Sequence, residues 1–509
     1  MMMTLRQVLM VARFESKMLL RSWAFRFIVL LCVAVSMAQL AGTMALIYFV
    51  SAETYLGPVF TSSNMAILVI TSISGLLSIA VVFFANDIGS RDKRIGVVDV
   101  IGSRPLTDAQ YVFGRLLGLL IPLTVMMLLV AVVAMSIIRA VGLRTASYSE
   151  LIPFFISFNV ITVAFWVSAT ALVSTLLKNR LFTSLTAIAV TMLTGWLTTT
   201  VSDVFDVSGY RTGGIYSSLI GYGPIADFAL HRLAYVMLTS LLIMATVYFY
   251  PRPEASRRSR FTTVGFMTTV IASVSLLAFL GFTRFQANAQ QNAWADALTK
   301  ASTNQAAGVN HYDMDIELLP EKAAIQGAVT ATLVNRSEAG QDTFVFVLNP
   351  GLKIDALTVT DDSGSSFSRT GPLIELTLSA PLRPGDTVES VWKYGGKIDP
   401  DAAWFSGPRT FDNWQSQDHM MGELSGWVGR RYCFLLPESN WYPTPNSTFG
   451  HTYPDKRPSN FATAQISLHM PEIWTGVTQG QLTEETKSTG ESVVTYAVDT
   501  PVPQFSVTA

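Results

Sequence analysis

The side chains able to do chemistry are few and far apart in this chain of 509 residues. Its five histidines, His231, His311, His419, His451 and His469, include no two at a spacing that would set both on one metal ion. There is no His-Glu-x-x-His, which on a helix presents two zinc ligands beside a general base, and no Gly-x-Ser-x-Gly nucleophile elbow. A Gly-x-x-x-x-Gly-Lys-Ser/Thr loop is missing too, so ATP binding by that route is excluded. Cys32 lies in an apolar run and Cys433 in a polar region, which leaves no disulfide framework and no thiolate site. On these grounds the chain reads as non-catalytic, with no cofactor or metal of its own.

What remains is contact chemistry, concentrated at residues 86–115. That stretch holds Arg91, Lys93, Arg94, Arg104 and Arg115 together with Asp87, Asp92, Asp99 and Asp108, in a chain only 14% charged overall. Cations alone would mark an ordinary cytoplasmic loop. The interleaved acids do not follow from that rule, nor does the break at Arg104-Pro105-Leu106 before a new helical pattern. They suit a surface that grips a protein.

The flanking elements are apolar. About 20 apolar residues cross a bilayer core, and the sequence predicts seven such runs, near 25–50, 64–85, 116–138, 152–176, 181–201, 229–250 and 262–283. None has a charge near its middle, which argues against a proton- or ion-coupled transporter. Lys and Arg collect in alternate connections: Arg6 to Arg26, the loop at 86–115, Lys178 with Arg180, and Arg252 to Arg260. The positive-inside rule then sets the N-terminus in the cytoplasm and everything after Arg284 outside a plasma (inner) membrane.

Residues 1–23 form an amphipathic interfacial helix in which Arg6, Arg13, Lys17 and Arg21 share one stripe, opposite Val8, Val11, Met18 and Leu19. Glu15 falls on the apolar side. Its ordinary reading is a carboxylate that snorkels to water or pairs locally; the alternative is a polar contact with the cytoplasmic loop or a partner. Thr183, Ala187, Thr191, Thr194 and Thr198 run down one face of the fifth span, which suits close helix packing, in the bundle or across a dimer, more than a polar path. The bundle thus occupies 24–250, with 251–284 a basic loop and seventh span, 285–308 a polar stalk and 309–509 an all-β domain. In the last, Tyr312-Asp-Met-Asp-Ile-Glu-Leu318 alternates as a half-buried strand does, and similar runs follow at 324–334, 343–348, 353–360, 372–379, 387–394, 461–470, 474–482 and 491–498. Strands at this spacing imply a sandwich or saddle-like sheet. Trp404, Phe405, Trp414, Trp427, Tyr432, Trp441 and Tyr442 are read either as core packing or as a peptide- or glycan-binding face.

Two resemblances add to this. Residues 10–26, with Arg13, Glu15, Lys17 and Arg21, and the loop Asp87, Arg91, Asp92, Lys93, Arg94, Gly96, then Ser103-Arg104-Pro105-Leu106-Thr107-Asp108, resemble the opening helix and first cytoplasmic loop of type-2 ABC exporter permeases. The resemblance covers roughly residues 1–250. It implies that the loop is a coupling helix docked on a separate ABC ATPase subunit, which would bind ATP and Mg. It also implies two permease bundles working as a homodimer or heterodimer. Six spans are usual in that family, so a seventh would be an addition that exports the C-terminal part.

From Tyr312 the chain resembles the N-terminal β-domain of the zinc aminopeptidases of the aminopeptidase-N type, through Gln326-Gly-Ala-Val-Thr-Ala-Thr-Leu-Val-Asn335, Leu348-Asn-Pro-Gly-Leu-Lys-Ile354, Leu382-Arg-Pro-Gly-Asp386, Trp392-Lys-Tyr-Gly-Gly-Lys-Ile398 and Leu436-Pro-Glu-Ser-Asn-Trp-Tyr-Pro443. The motifs of that family's catalytic domain do not occur, so no active-site residue carries over. The combined expectation is a membrane permease subunit bearing an exported aminopeptidase-like domain. The alternatives are a membrane-anchored peptidase-like binding module, or a truncated form of a membrane zinc aminopeptidase fusion.

Overall fold

The computed structural model describes residues 2–49, 78, 80–86, 88, 91, 96, 106–140, 152, 155–209, 216–217, 221–222, 226–250, 260–301, 306–399, 402, 426–445 and 460–509. The chain divides into two compact units, Met1–Arg284 and Phe285–Ala509.

The first unit is helical. Helix α1 (Met2–Arg21) ends where the Ser22 hydroxyl accepts the Phe25 N–H at 3.1 Å, capping α2 (Trp23–Phe49). The two helices meet at a bend of 71°. Next come α3 (Asp108–Ala140), a π-helical turn (Phe155–Val160) running into α4 (Ile161–Leu177), and α5 (Arg180–Thr200). Lys178 closes α4 in the left-handed region (φ 55°), and the Asn179 side chain caps α5 by accepting from Leu181 and Phe182 N–H. A short ribbon, β1 (Tyr216–Ser217) with β2 (Gly221–Tyr222), precedes α6 (Ala226–Phe249) and α7 (Arg260–Ala301).

Among the described residues five helices are long and apolar enough to cross a membrane: Asp108–Ile137, Phe155–Leu177, Arg180–Thr198, Phe228–Phe249 and Thr262–Trp294. The bent α1–α2 pair makes a sixth if counted as one span. That is short of the expected seven, and the run at 64–85 falls mostly outside the described residues. Their common core includes Leu119, Leu123, Met127 and Val130 of α3, Phe165, Trp166 and Val167 of α4, and Tyr235 of α6. On α5 the hydroxyl face turns inward, with Thr183 and Ala187 buried, while Leu181, Phe182, Leu185, Met192, Leu193 and Trp196 are exposed. The inward hydroxyls donate to carbonyls of their own helix, Thr191 to Ala187 O at 2.9 Å and Thr198 to Thr194 O at 2.7 Å.

The second unit is mostly β. A seven-stranded sheet has the order β15-β16-β13-β3-β4-β9-β6, with β3 (Ala307–Leu319), β4 (Ala324–Asn335), β6 (Leu352–Val359), β9 (Thr387–Gly396), β13 (Ala462–Pro471), β15 (Gln481–Ser488) and β16 (Glu491–Val502). All its neighbours are antiparallel except β13 with β3. A four-stranded sheet holds β12 (Thr444–Pro445), β5 (Gln341–Val347), β8 (Leu373–Leu382) and β7 (Ser366–Thr370). Another joins β10 (Gly426–Val428), β11 (Cys433–Leu435), β17 (Val507–Thr508) and β14 (Val477–Thr478).

Alternation predicts β3 well, since Tyr312, Met314, Ile316 and Leu318 are all buried. It fails at 474–482, where only Val477–Thr478 is a strand and the longer strand begins at Gln481. Every residue of β15 is exposed, so its pairing with β16 leaves no hydrophobic period to read. Among the aromatic residues singled out above, Trp441 and Tyr442 are core, their rings 4.7 Å apart and Tyr442 packed edge-on to Tyr312 at 5.5 Å. Trp427 and Tyr432 are half-buried, and Trp404, Phe405 and Trp414 lie outside the described residues.

One asparagine organises this unit. Asn349 is fully buried; its side chain donates to Asp399 O at 3.0 Å and Ser439 O at 2.8 Å, and accepts from Gly351 N at 3.0 Å and Asp399 N at 2.8 Å. Three otherwise remote chain segments are pinned by a single neutral side chain.

Candidate functional site

Helix α1 packs along α3 because two glycines of α3 let it approach. A Cβ on Gly114 would lie 2.6 Å from the Val11 Cβ, and one on Gly118 would lie 2.4 Å from the Glu15 Cβ. Four residues beyond Gly118 stands Pro122, inside the helix and without an N–H. The carbonyl that a non-proline residue there would engage is that of Gly118. The Ser16 hydroxyl of α1 donates to that carbonyl at 2.9 Å. A helix defect on α3 has become a recognition point for α1.

The same approach brings Glu15 into the interior, where only 3% of it is exposed. Its carboxylate accepts from two guanidinium groups. Arg91 engages both oxygens, Nη1 to Oε2 at 2.9 Å and Nη2 to Oε1. Arg115 of α3 sits with Nε 3.1 Å from Oε1. Arg115 also donates from Nη1 to Ile88 O at 2.8 Å, and its guanidinium lies 5.4 Å from the Tyr111 ring centre. The start of the loop is tied down in addition: Ser174 of α4 donates to Asn86 O at 2.7 Å, and Asn86 Nδ2 to the Ser184 hydroxyl of α5 at 3.0 Å. One buried carboxylate therefore joins α1, the segment after the second apolar run and the first turns of α3. Charges taken this far from water persist only when paired and hydrogen-bonded.

Glu15 thus does not snorkel; it makes the contact with the loop that was the alternative reading. Arg13, Lys17 and Arg21 are exposed on the opposite side of α1. Asp108 begins α3, where Thr107 and Gln110 cap the helix reciprocally, Thr107 N to Gln110 Oε1 at 2.9 Å and Gln110 N to Thr107 Oγ1 at 3.2 Å. Asp87, Asp92, Lys93, Arg94, Arg104 and Pro105 lie outside the described residues.

A second polar cluster went unread in the sequence. At the start of α6, His231 and Arg232 are buried, with Asp203 and Asp206 from the turn after α5. Arg232 donates from Nη1 to Val207 O at 2.8 Å and from Nη2 to the Thr162 hydroxyl of α4 at 3.3 Å. Gly209, at φ +74°, lies over this guanidinium: a Cβ there would come within 2.8 Å of Nη1. Asp203 Oδ2 lies 3.6 Å from Nε of Arg284 on α7, and the Tyr235 hydroxyl donates to Val204 O at 3.0 Å. Tyr250, just past the far end of α6, packs on Tyr111 beside Arg115, at 5.9 Å between rings. Arg232 precedes it by five helical turns, about 27 Å at 1.5 Å per residue. The two charged clusters therefore occupy opposite ends of the helical unit. An adjacent His-Arg pair opening an apolar helix, soon after two aspartates, was the signal available in the sequence.

Of the other histidines, His311 bonds the Thr463 hydroxyl at 2.7 Å, and His469 lies between Asp315 and Glu491, 3.0 Å from each, on the open face of the large sheet. His419 and His451 lie outside the described residues. Among the described residues no group of three His, Cys, Asp or Glu side chains could hold a metal ion, so no zinc ligand is assigned.

No family model and no curated protein matches this sequence. Solved structures do match part of it. An M1 zinc metallopeptidase from Deinococcus radiodurans is 20% identical over 40% of this chain and 42% of its own length, with a TM-score of 0.31. Aminopeptidase A from Legionella pneumophila, in complex with aspartic acid, is 14% identical over 40% and 21%, with a TM-score of 0.30. Native LTA4 hydrolase from yeast is 16% identical over 40% and 29%, with a TM-score of 0.27. The chain thus spans less than half the length of each. These matches correct the reading of the chain as simply non-catalytic: the structures similar to it are enzymes, zinc metallopeptidases among them.

Proposed function

We propose that the helical unit is the membrane-spanning half of a transporter of the ABC-exporter kind, driven by a separate ATPase subunit and bearing a peptidase-like domain. The observation that carries this reading is the buried Glu15 joint. A push on the loop at Arg91 would reach α1 and α3 together, because one carboxylate holds all three. In this reading the N-terminus and the loop face the cytoplasm, the second unit lies outside a plasma membrane, and the partner binds ATP and Mg. Two such bundles, as a homodimer or heterodimer, would form the path, and the exposed cations Arg13, Lys17 and Arg21 would face anionic lipid. Extraction from native membranes in mild detergent, followed by pull-down and mass spectrometry, tests it. A co-purifying ATPase that is lost when Arg91, Arg94 and Arg104 are changed to Glu is the expected result. A chain that comes down alone would leave a membrane-anchored peptidase-like module.

A further inference from the structure

We propose that the His231 cluster is an acid-triggered latch which releases the turn 202–209 from the end of the bundle remote from Glu15. The turn is built over charge. Asp206 Oδ1 accepts from the N–H and hydroxyl of Ser208 at 3.0 and 2.6 Å, the Ser202 hydroxyl accepts the Val204 N–H at 3.2 Å, and the Val207 carbonyl accepts from Arg232. The titratable and charged groups around His231, among the described residues, are Asp203 and Asp206 of the turn, Arg232 and Tyr235 of α6, and Arg284 of α7; α4 contributes the Thr162 hydroxyl. With the imidazole neutral, two carboxylates face two guanidinium groups and the cluster balances.

His231 is the member of this set whose ordinary titration lies between pH 5 and 8. The residue is 1% exposed, its ring stacked at a tilt on Tyr235 with 4.9 Å between centres and facing the Val204 backbone, and among the described residues neither ring nitrogen has a hydrogen bond of ordinary geometry. A proton on it adds a positive charge beside Arg232 that nothing in the balanced set cancels. A buried charge without a partner is costly, and hydration relieves that cost. The imidazole reaches water when the turn lifts, which breaks the Arg232 bond to Val207 O. Acid therefore favours the lifted form. If only that form takes the proton, with an ordinary histidine pKa of about 6.5, the ratio of lifted to closed turn rises as much as about 30-fold between pH 7.5 and pH 5.

The test uses the full chain in nanodiscs, with Val207→Cys as reporter and Phe205→Cys as reference, since Val207 is 7% and Phe205 36% exposed. A membrane-impermeant maleimide is applied from pH 7.5 to pH 5 and labelling is read peptide by peptide by mass spectrometry, which separates the buried Cys32 and Cys433. Dividing the rate at position 207 by that at 205 removes the thiol's own pH dependence. The expected result is a ratio that rises about tenfold or more on acidification, and stays flat in His231→Gln and His231→Phe. A flat ratio in the native chain overturns the latch, as does an equal rise in either variant. A variant whose ratio is already high at pH 7.5 has lost the closed turn, and the other then serves for comparison.

Discussion

The two ends of the helical unit solve the problem of buried charge differently. Near Arg115, one carboxylate serves two guanidinium groups through side-chain pairs, and each arginine comes from a different segment. Near Arg232, the guanidinium leans on a backbone carbonyl and a hydroxyl, and the carboxylate–guanidinium contact between Asp203 and Arg284 is longer, at 3.6 Å. The first arrangement is a joint, because separating any of its segments strands a charge. The second is a cover over charge, held by bonds that water can replace.

The largest effect that could break this contrast is at Arg115. Arg115→Ala strands Glu15 on Arg91 alone and frees Ile88 O, and should cost about 3–5 kcal/mol as breaking a buried pair does. Denaturant unfolding of the purified chain would show it, and Arg115→Lys should recover little, since an ammonium cannot reproduce the planar fork. A neutral hub calibrates the comparison. Asn349→Ala in the second unit leaves buried backbone groups unpaired and should cost about 3 kcal/mol by the same measurement.

Gly118→Leu comes next, forcing α1 off α3 by overpacking worth about 1–3 kcal/mol. Faster tryptic cleavage at Arg13 and Lys17 would report it, and an unchanged rate would mean that the Glu15 pair alone docks α1. Asp203→Asn at the other end keeps the side chain's shape and loses one long contact with Arg284, and should cost only about 1 kcal/mol, the net worth of a single polar contact; a loss as large as that of Arg115→Ala would abolish the contrast.

The smallest effect lies on the surface of the β unit. Hydrogen bonds from Ser379, with further backbone N–H groups, hold the Asp362 carboxyl below its ordinary value. The stability this gives is present above the ordinary Asp range and is lost as pH falls through the lowered value. Asp362→Asn should therefore lower the neutral unfolding midpoint slightly and flatten its fall in acid, so that variant and native chain converge at low pH. In the same unit burial pushes the Cys433 thiol up to about 12, so alkylation at pH 8 should require unfolding.

Local chemistry explains how much of this was legible beforehand. The split between apolar and alternating composition, the N-terminal amphipathic stripe and strands such as β3 follow from periods of a few residues, which a sequence displays directly. The same period put Glu15 on the apolar side of α1 without naming its partners. Arg91 is 76 positions away, and which arginine meets a carboxylate depends on how helices cross. Pro122 could be read as a helix defect, but not as the reason Ser16 has a carbonyl to bind. The wholly exposed β15, with Leu482 its one apolar residue, carried no hydrophobic period, because what makes it a strand is the edge of β16 beside it. Thus the sequence by itself determined which segments must leave water and which repeat suits each one. Only the tertiary structure decided which charges were buried together, since that choice rests on close approach between distant segments, through two glycines of α3 and through the turn laid over Arg232.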